Sequence, residues 1–362
     1  MRTLRIPLLA AAVAAVAAGT WAGLARMGWQ LPAERPEPIA LHGPLMVFGF
    51  LGTVISLERA VALRRRWGYA APAASVAGVA LLLAGQPRPG EAALLAAGLV
   101  LVALFGLIVR THATPATLTL ALSSLLWVAG VAMWLAGGGL TGAVPWWTGF
   151  LVLTILGERL ELAALTRLTV LGRRSFGGLT LLLAIALVLG GQAGARLLGL
   201  ALAGFALWLL RFDIARRTVR RPGLPRFVAC SLLAGYGWLL VGGAVWLRHG
   251  LELGGPLRDA QLHAIFVGFV FSMIFGHAPV IFPAVLGVPI PFRRAFYLHL
   301  AVLHAGVALR VAGDLAGDAR LARDGALLNG IAIALFFAAT VLSAVMHRVR
   351  RGAGPAPRPT TR

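Results

Sequence analysis

The feature that most constrains this chain is a succession of apolar stretches, separated by short gaps that carry arginine. Most stretches reach the length of about 20 residues that an α-helix needs to cross the hydrocarbon core of a bilayer. They occupy most of the 362 residues, of which 59 % are hydrophobic and only 12 % are charged. The sequence therefore predicts an all-α, polytopic membrane protein and leaves no room for a soluble domain.

Proline, glycine and arginine clusters divide the apolar stretches into about twelve predicted transmembrane helices. Their starts fall near Ile6, Pro38, Tyr69, Glu91, Pro115, Pro145, Gly177, Ala195, Arg226, Asp259, Phe292 and Arg323. We expect a single transmembrane helical domain over residues 1–350. Residues 351–362 are polar and rich in proline, so we expect a disordered cytoplasmic tail there.

The charges of the chain indicate topology rather than a nucleic-acid partner. All 33 basic residues are arginine, the formal net charge is +21, and the arginines cluster in alternate gaps between the apolar stretches. Basic residues are retained on the cytoplasmic side of a membrane, so this pattern predicts that both termini are cytoplasmic. The arginine-only composition is typical of a GC-rich bacterial genome, which predicts the bacterial inner membrane. The single cysteine, Cys230, excludes a disulfide framework and a multi-cysteine metal site.

Tryptophans mark the predicted helix ends, as in the aromatic belt of a membrane protein. They are Trp29, Trp67, Trp146, Trp147 and Trp246.

Two histidines occupy equivalent places in two predicted helices. His42 and His263 each lie just after the start of a helix that enters from the outer side, at about 6 Å below that start. Met46 and small residues such as Gly49 follow His42 and leave room for a large ligand. Neutral imidazole is a common axial ligand of haem iron, so the two rings are candidate ligands for one haem b. Each histidine could instead hydrogen-bond a neighbouring helix.

Haem propionates at that depth would need cationic partners on the outer side. The candidates are Arg35, Arg248, Arg258 and Arg310, each of which could also serve as an interface anchor.

A second group of ionisable residues is predicted in the inner half of the membrane. It comprises Glu58, Glu158, Arg159, Glu161, His277, His299 and His304. Charged residues at membrane depth are costly and usually mark function. Arg159 could neutralise Glu158 or Glu161, with Glu58 or Glu161 as its partner in a charge network. His304 could meet His277 or Glu158 from across the bundle. The group could form a proton path, a second cofactor site or a purely structural cluster.

His277 cannot ligate the same metal as His263, because the 14 residues between them place it some 21 Å deeper along the helix.

The stretch from His42 to Phe50, His-Gly-Pro-Leu-Met-Val-Phe-Gly-Phe, resembles the second-helix signature of the NnrS family. That signature has a histidine, a methionine four residues later and then Phe-Gly-Phe. Twelve helices with one histidine on helix two and one on helix ten are also similar to subunit I of the haem-copper oxidases. The resemblance implies an oxidase-like helical bundle, His42 and His263 as haem ligands, a haem- and copper-containing protein, and a link to nitric oxide metabolism or stress.

The chain departs from the family signature at two positions. Pro44 stands where the signature has a second histidine, and Leu45 stands where it has an acidic residue. Predicted helices six and seven also lack the histidines that hold copper in the oxidases, so reduction of oxygen at a haem-copper centre is not expected. The chain thus resembles a divergent member.

Two functions from different classes follow from these residues. The first is a haem b protein that transfers electrons to a redox partner or handles a small gas such as nitric oxide. The second is a haem-free, proton-coupled carrier or channel that uses Glu158, Glu161 and His277. No phosphate-binding loop and no nucleophile elbow is present, so an ATP-driven pump or a hydrolase has no support.

Overall fold

The computed structural model describes residues 2–32, 37–164 and 168–352. Within these ranges the chain consists of helices joined by short connections and contains no strand. Arg35 and residues 353–362, which make up most of the predicted tail, lie outside the described residues; residues 351 and 352 still belong to the last helix.

Twelve helical segments of 14 or more residues are used below to locate side chains. They are α1 (Arg2–Arg26), α2 (His42–Leu63), α3 (Ala70–Leu83), α4 (Pro87–Thr111), α5 (Pro115–Met133), α6 (Gly139–Ala164), α7 (Val170–Leu189), α8 (Gly191–Phe212), α9 (Leu224–His249), α10 (Gly255–Pro283), α11 (Phe296–Ala316) and α12 (Ala319–Gly352).

Ten stretches in the described ranges are long and apolar enough to cross a membrane. The ten include Pro115–Ala163 as one stretch of 49 residues, which covers α5 and α6, and do not include α3, which has 14 residues. The chain is therefore a polytopic helical membrane protein by length and composition.

Helices α5 and α6 form an antiparallel hairpin. The Thr154 hydroxyl donates to the Ser123 hydroxyl at 3.0 Å, Gly130 packs against Trp147, and Gly157 packs against Leu120. From one contact to the next, the residue number falls along α5 as it rises along α6, so the two helices run in opposite directions. Gly137, with φ of 94°, breaks the helical path at that connection. A positive φ is accessible to glycine without the steric cost that a side chain would bring.

Glycines bring other helices into close contact. A Cβ atom on Gly313 or Gly325 would lie within 2.4 Å of a backbone nitrogen of the partner helix in the α11–α12 pair, and Gly199 and Gly243 are packed as closely between α8 and α9. Small residues permit such close approach of helix backbones in membranes, where packing replaces the hydrophobic driving force.

The two histidine-bearing helices are the most buried of the ten candidate spans. Protein buries 72 % of the apolar window of α10 and 61 % of that of α2, against 28–56 % for the others. Side chains on α2 and α10 therefore face neighbouring helices more than lipid, which is where ionisable groups and ligands are accommodated in membrane proteins.

Candidate functional site

Helices α2 and α10 share a rare change of backbone geometry just after their histidines. Leu45–Gly52 in α2 and Ala264–Phe271 in α10 are both π-helical over eight residues. A π-turn inserts an extra residue into the helix and redirects the side chains around it, and such turns are found frequently at functional sites. These π-helical turns could not be predicted from the sequence, because neither segment contains a residue type that is specific to π-helices.

The structure brings the two imidazole rings together. The ring centres of His42 and His263 are 6.1 Å apart, and the ring planes differ by 26°. This separation is too large for a hydrogen bond between the rings.

A carbonyl of α1 orients the His42 ring. The distance from His42 Nδ1 to the Gly19 carbonyl oxygen is 2.7 Å, so Nδ1 carries the proton and donates to that carbonyl. Gly23 makes this approach possible, because a Cβ atom there would lie 2.8 Å from Cε1 of the His42 ring. The sequence analysis missed both glycines, although their spacing of four residues on α1 is a signal of close helix packing.

The His263 ring is oriented within its own helix. Its Nδ1 lies 2.9 Å from the Asp259 carbonyl oxygen and 3.1 Å from Asp259 Oδ1. Arg310 of α11 in turn donates to both carboxylate oxygens of Asp259, at 2.6 and 3.1 Å. Within the described part of the chain neither His42 nor His263 has a hydrogen bond to its Nε2 atom. Nδ1 bound to a carbonyl or carboxylate with Nε2 free is the arrangement of metal-ligating histidines.

Both rings line one cavity, here called the outer cavity, which holds about 870 Å³ of empty space. Met46 and Trp147 contribute to its walls, and Arg310 and Asn329 are among its few polar residues. The Oδ1 atom of Asn329 is buried without a hydrogen-bond partner in the described residues, so a polar atom is available to a ligand there.

Gly49, predicted as a ligand-contacting residue with Met46, does not line the outer cavity. A Cβ atom at Gly49 would lie 2.7 Å from Cβ of Ala15 in α1, so Gly49 serves helix packing. The predicted aromatic belt needs a similar correction, because Trp147 and Trp246 are 1 % and 2 % exposed and belong to the core.

Of the four arginines considered as outer cations, the structure places Arg310 at the cavity. Arg258 donates to the Glu252 carbonyl at 2.7 Å, and Arg248 is not among the cavity-lining residues. Arg35 lies outside the described residues.

In the inner half, two arginines hold separate ion pairs, which corrects the predicted pairing. Arg59 contacts Glu158 closely and Glu58 at 3.5 Å. Arg159 instead binds Asp213, with Nε to Oδ2 at 2.8 Å and Nη2 to Oδ1 at 2.9 Å. Successive residues of a helix point about 100° apart, so Arg159 is turned away from the side of α6 that carries Glu158.

His277 joins the second of these pairs. Its Nε2 lies 3.4 Å from Nη1 of Arg159, and its Nδ1 lies 2.8 Å from the Met273 carbonyl oxygen. Glu58, Glu158 and His277 line a second, inner cavity of about 740 Å³ between α2, α6 and α10. Glu161 is exposed and lines a separate cleft on the other side of Arg59. The predicted inner group is therefore only partly assembled.

His299 and His304 stand apart from that cavity. His304 Nδ1 accepts a hydrogen bond from Trp238 Nε1 at 3.0 Å, rather than meeting His277 or Glu158 as expected. His299 is 2 % exposed and packs among aromatic rings, the nearest being Phe275 with ring centres 4.9 Å apart. Neither ring nitrogen of His299 has a hydrogen-bond partner in the described residues.

Within the described residues, no group of three or more His, Cys, Asp and Glu side chains is arranged to hold a metal ion. The outer cavity therefore offers two imidazoles as metal donors, a set that needs further ligands from elsewhere to hold a metal ion.

Comparison with known proteins places the chain in a family without assigning a function. The search of curated proteins finds no match. A family model described as "Domain of unknown function (DUF8744)" matches residues 5–345. The match spans nearly the whole chain and includes both imidazoles and the inner cavity, so this protein belongs to the DUF8744 family.

Proposed function

We propose that this protein is an integral membrane haem b protein whose axial ligands are His42 and His263. The observation that carries the proposal is the separation of 6.1 Å between the two ring centres. A metal–imidazole bond is about 2.0 Å long and the ring centre lies about 1.2 Å behind the ligating nitrogen, so two trans imidazoles on one metal have ring centres about 6.4 Å apart.

The surroundings of the two rings fit this group. Both Nδ1 atoms are held by protein oxygens, which leaves both Nε2 atoms for a metal. The outer cavity is lined mostly by apolar side chains with a few polar groups, as ligand sites typically are. Arg310 is the described cation of the cavity wall, and its Nη1 is the guanidinium nitrogen that does not bind Asp259 and could meet a propionate.

Electron transfer is the role that this ligand set favours. A bound haem b supplies a one-electron redox centre, and two protein ligands leave no axial position open for a substrate. The chain's own residues would fix the ring orientations and keep water out of the site. Handling of nitric oxide is supported by the resemblance of the His42 region to the NnrS family, and requires displacement of one imidazole. The described residues contain no candidate cluster of copper ligands, so copper is not part of the proposed cofactor set.

The topology belongs to the same proposal. The antiparallel contacts of α5 and α6 support two crossings within Pro115–Ala163, and α3 supports a further one, which gives twelve crossings in an oxidase-like bundle. The arginine clusters in alternate gaps support cytoplasmic termini in a bacterial inner membrane.

An absorption spectrum of the purified protein tests the haem assignment. We expect the dithionite-reduced protein, prepared from haem-replete cells, to show the sharp α and β bands of a low-spin b-type centre, with about one haem per chain by pyridine haemochromogen assay. A folded but colourless preparation would overturn the assignment.

The Asp259→Asn variant tests the proposed histidine ligands through the redox potential of the haem, rather than through the amount of haem that is bound. Asp259 lies 3.1 Å from His263 Nδ1, and a carboxylate partner makes a ligating imidazole a stronger donor, which stabilises the oxidised metal. We expect the variant to keep its haem and to show a higher midpoint potential in a spectroscopic redox titration. Glu252→Gln, on the connection before α10, is the matched control and should leave the potential unchanged. An unshifted or lowered potential in Asp259→Asn would contradict the assigned role of Asp259.

The haem-free carrier remains the competing hypothesis. It is favoured by the inner cavity, where Glu58 and Glu158 flank Arg59 at membrane depth. The same spectrum separates the two, because a carrier of this kind needs no pigment.

A further inference from the structure

The inner cavity has the apolar walls and the polar end of a site for a membrane-soluble redox molecule. We propose that it binds an isoprenoid quinone or quinol, with the ring held near Glu58 and Glu158. The proposal deepens the proposed function, because it names the chemical class of the redox partner and rests on a haem as the electron acceptor.

The walls of the cavity are apolar over most of their length. Val54 and Ile55 of α2, Ile155 of α6 and Ile274 of α10 line it, and all four are half-buried rather than sealed inside the protein. The cavity is therefore not fully sealed, and its apolar walls are partly exposed. A molecule dissolved in the membrane, rather than in water, is the one that such a surface admits.

One end of the cavity is polar, and its polar groups are hydrogen-bond acceptors with charged neighbours. Glu158 is fixed by its contact with Arg59, while Glu58 lies farther from the same guanidinium at 3.5 Å. The hydroxyl groups of a quinol can donate to these carboxylates, and carboxylates at membrane depth commonly serve proton transfer. A lipid acyl chain would leave them without such a partner.

A metal cofactor fits the inner cavity less well than a quinone does. His277 is the only imidazole on its wall among the described residues, and its Nε2 faces the Arg159 guanidinium at 3.4 Å. Iron could not bind that nitrogen without displacing Arg159, which is held by two hydrogen bonds to Asp213.

The inner cavity adjoins the outer one. Leu51 of α2 lines both, so the two cavities meet at a level between His42 and Glu58 on that helix. This places the proposed donor site and the proposed acceptor site in adjoining cavities of one protein.

The chemistry balances with these groups alone. Oxidation of a quinol to a quinone releases two electrons and two protons. A bound ferric haem would serve as the one-electron acceptor, so one quinol would supply the electrons for the haems of two protein molecules. The protons leave through the carboxylates at the polar end, with Glu58 as the first acceptor.

Equilibrium dialysis of the detergent-purified full-length protein against tritiated decylubiquinol, with dithionite present so that the ligand stays reduced, tests the site directly. We expect saturable binding of about one quinol per chain. Glu158→Gln replaces a charged acceptor by a neutral amide and should weaken binding by about tenfold or more. Ile155→Trp fills the apolar part of the cavity and should weaken it as well. Glu161→Gln, three residues away and outside the cavity, is the matched control and should bind like the wild type.

A second measurement uses decylubiquinol as the reductant. Wild-type haem should be reduced with a stoichiometry of one quinol to two haems, while Glu158→Gln should be reduced slowly by quinol and fully by dithionite. Non-saturable binding, equal binding by all four proteins, or phospholipid occupying the cavity would overturn the inference. If the protein lacks haem but still binds the quinol saturably, the proposed function is rejected and the quinone site is kept. If the protein contains haem but does not bind the quinol, the proposed function is kept and the quinone site is rejected.

Discussion

Replacing His42 by alanine is expected to abolish the low-spin haem spectrum. The His42 ring lies 6.1 Å from that of His263, and its Nδ1 is already bound to the Gly19 carbonyl. Removing one of two axial ligands leaves iron five-coordinate or unbound, so the sharp reduced α band should disappear and haem content should fall severalfold. Absorption spectra of the oxidised and reduced protein measure the change, and His263→Ala should behave in the same way.

The control for these variants is His249→Ala, at the end of α9. It removes an imidazole of the same kind that does not line the outer cavity, and it should leave the spectrum intact. A reduced spectrum unchanged in either ligand variant would refute the bis-histidine site, because one remaining imidazole cannot produce the same six-coordinate signature.

Replacing Asp213 by alanine is expected to cause the largest loss of stability. Asp213 accepts two hydrogen bonds from Arg159, whose side chain is 3 % exposed. Without Asp213 the guanidinium stays buried without its carboxylate, and breaking a buried pair in this way typically costs about 3–5 kcal/mol. The free energy of unfolding in a dodecyl sulfate titration, followed by circular dichroism, should fall by that amount.

Two further variants separate a lost ion pair from general damage. Arg159→Met combined with Asp213→Leu removes both charges and should recover most of the lost stability, since apolar replacements of buried pairs are often neutral. Glu161→Ala, exposed on the same helix as Arg159, should change the free energy by less than about 0.5 kcal/mol. If Asp213→Ala were as stable as Glu161→Ala, the pair would not hold α6 to the end of α8.

Helix positions could be predicted from hydropathy because apolar stretches bounded by proline and arginine leave few alternatives in a membrane. The predicted start near Pro115 coincides with the start of α5, whereas the start near Pro145 is six residues late, since α6 begins at Gly139. Helices extend past their apolar windows into the polar interface, and the sequence pattern marks the window rather than the helix. The approach of His42 to His263 was also predictable, because both follow the start of an apolar stretch that enters from the same side.

The partners of the ionisable residues could not be predicted in the same way. Arg159 follows Glu158 in sequence, yet it pairs with Asp213, the residue just after the end of α8. Gly49 contacts α1 instead of the outer cavity. Such contacts depend on the rotation of each helix about its axis, which packing sets. The π-turns of α2 add a further rotation that no simple helical wheel contains.

The helices that contribute to the His42 site are inserted into the membrane at different times during synthesis. The oxygen atom bound to His42 belongs to Gly19 of α1, and the facing ring belongs to α10, which is made only after nine other helices have been synthesised. A nascent chain that has inserted only its first helices therefore contains His42 but not His263. A fragment that ends before α10 or begins after α2 lacks one member of the histidine pair, so on the haem proposal loading would follow the late docking of these distant parts of the polypeptide.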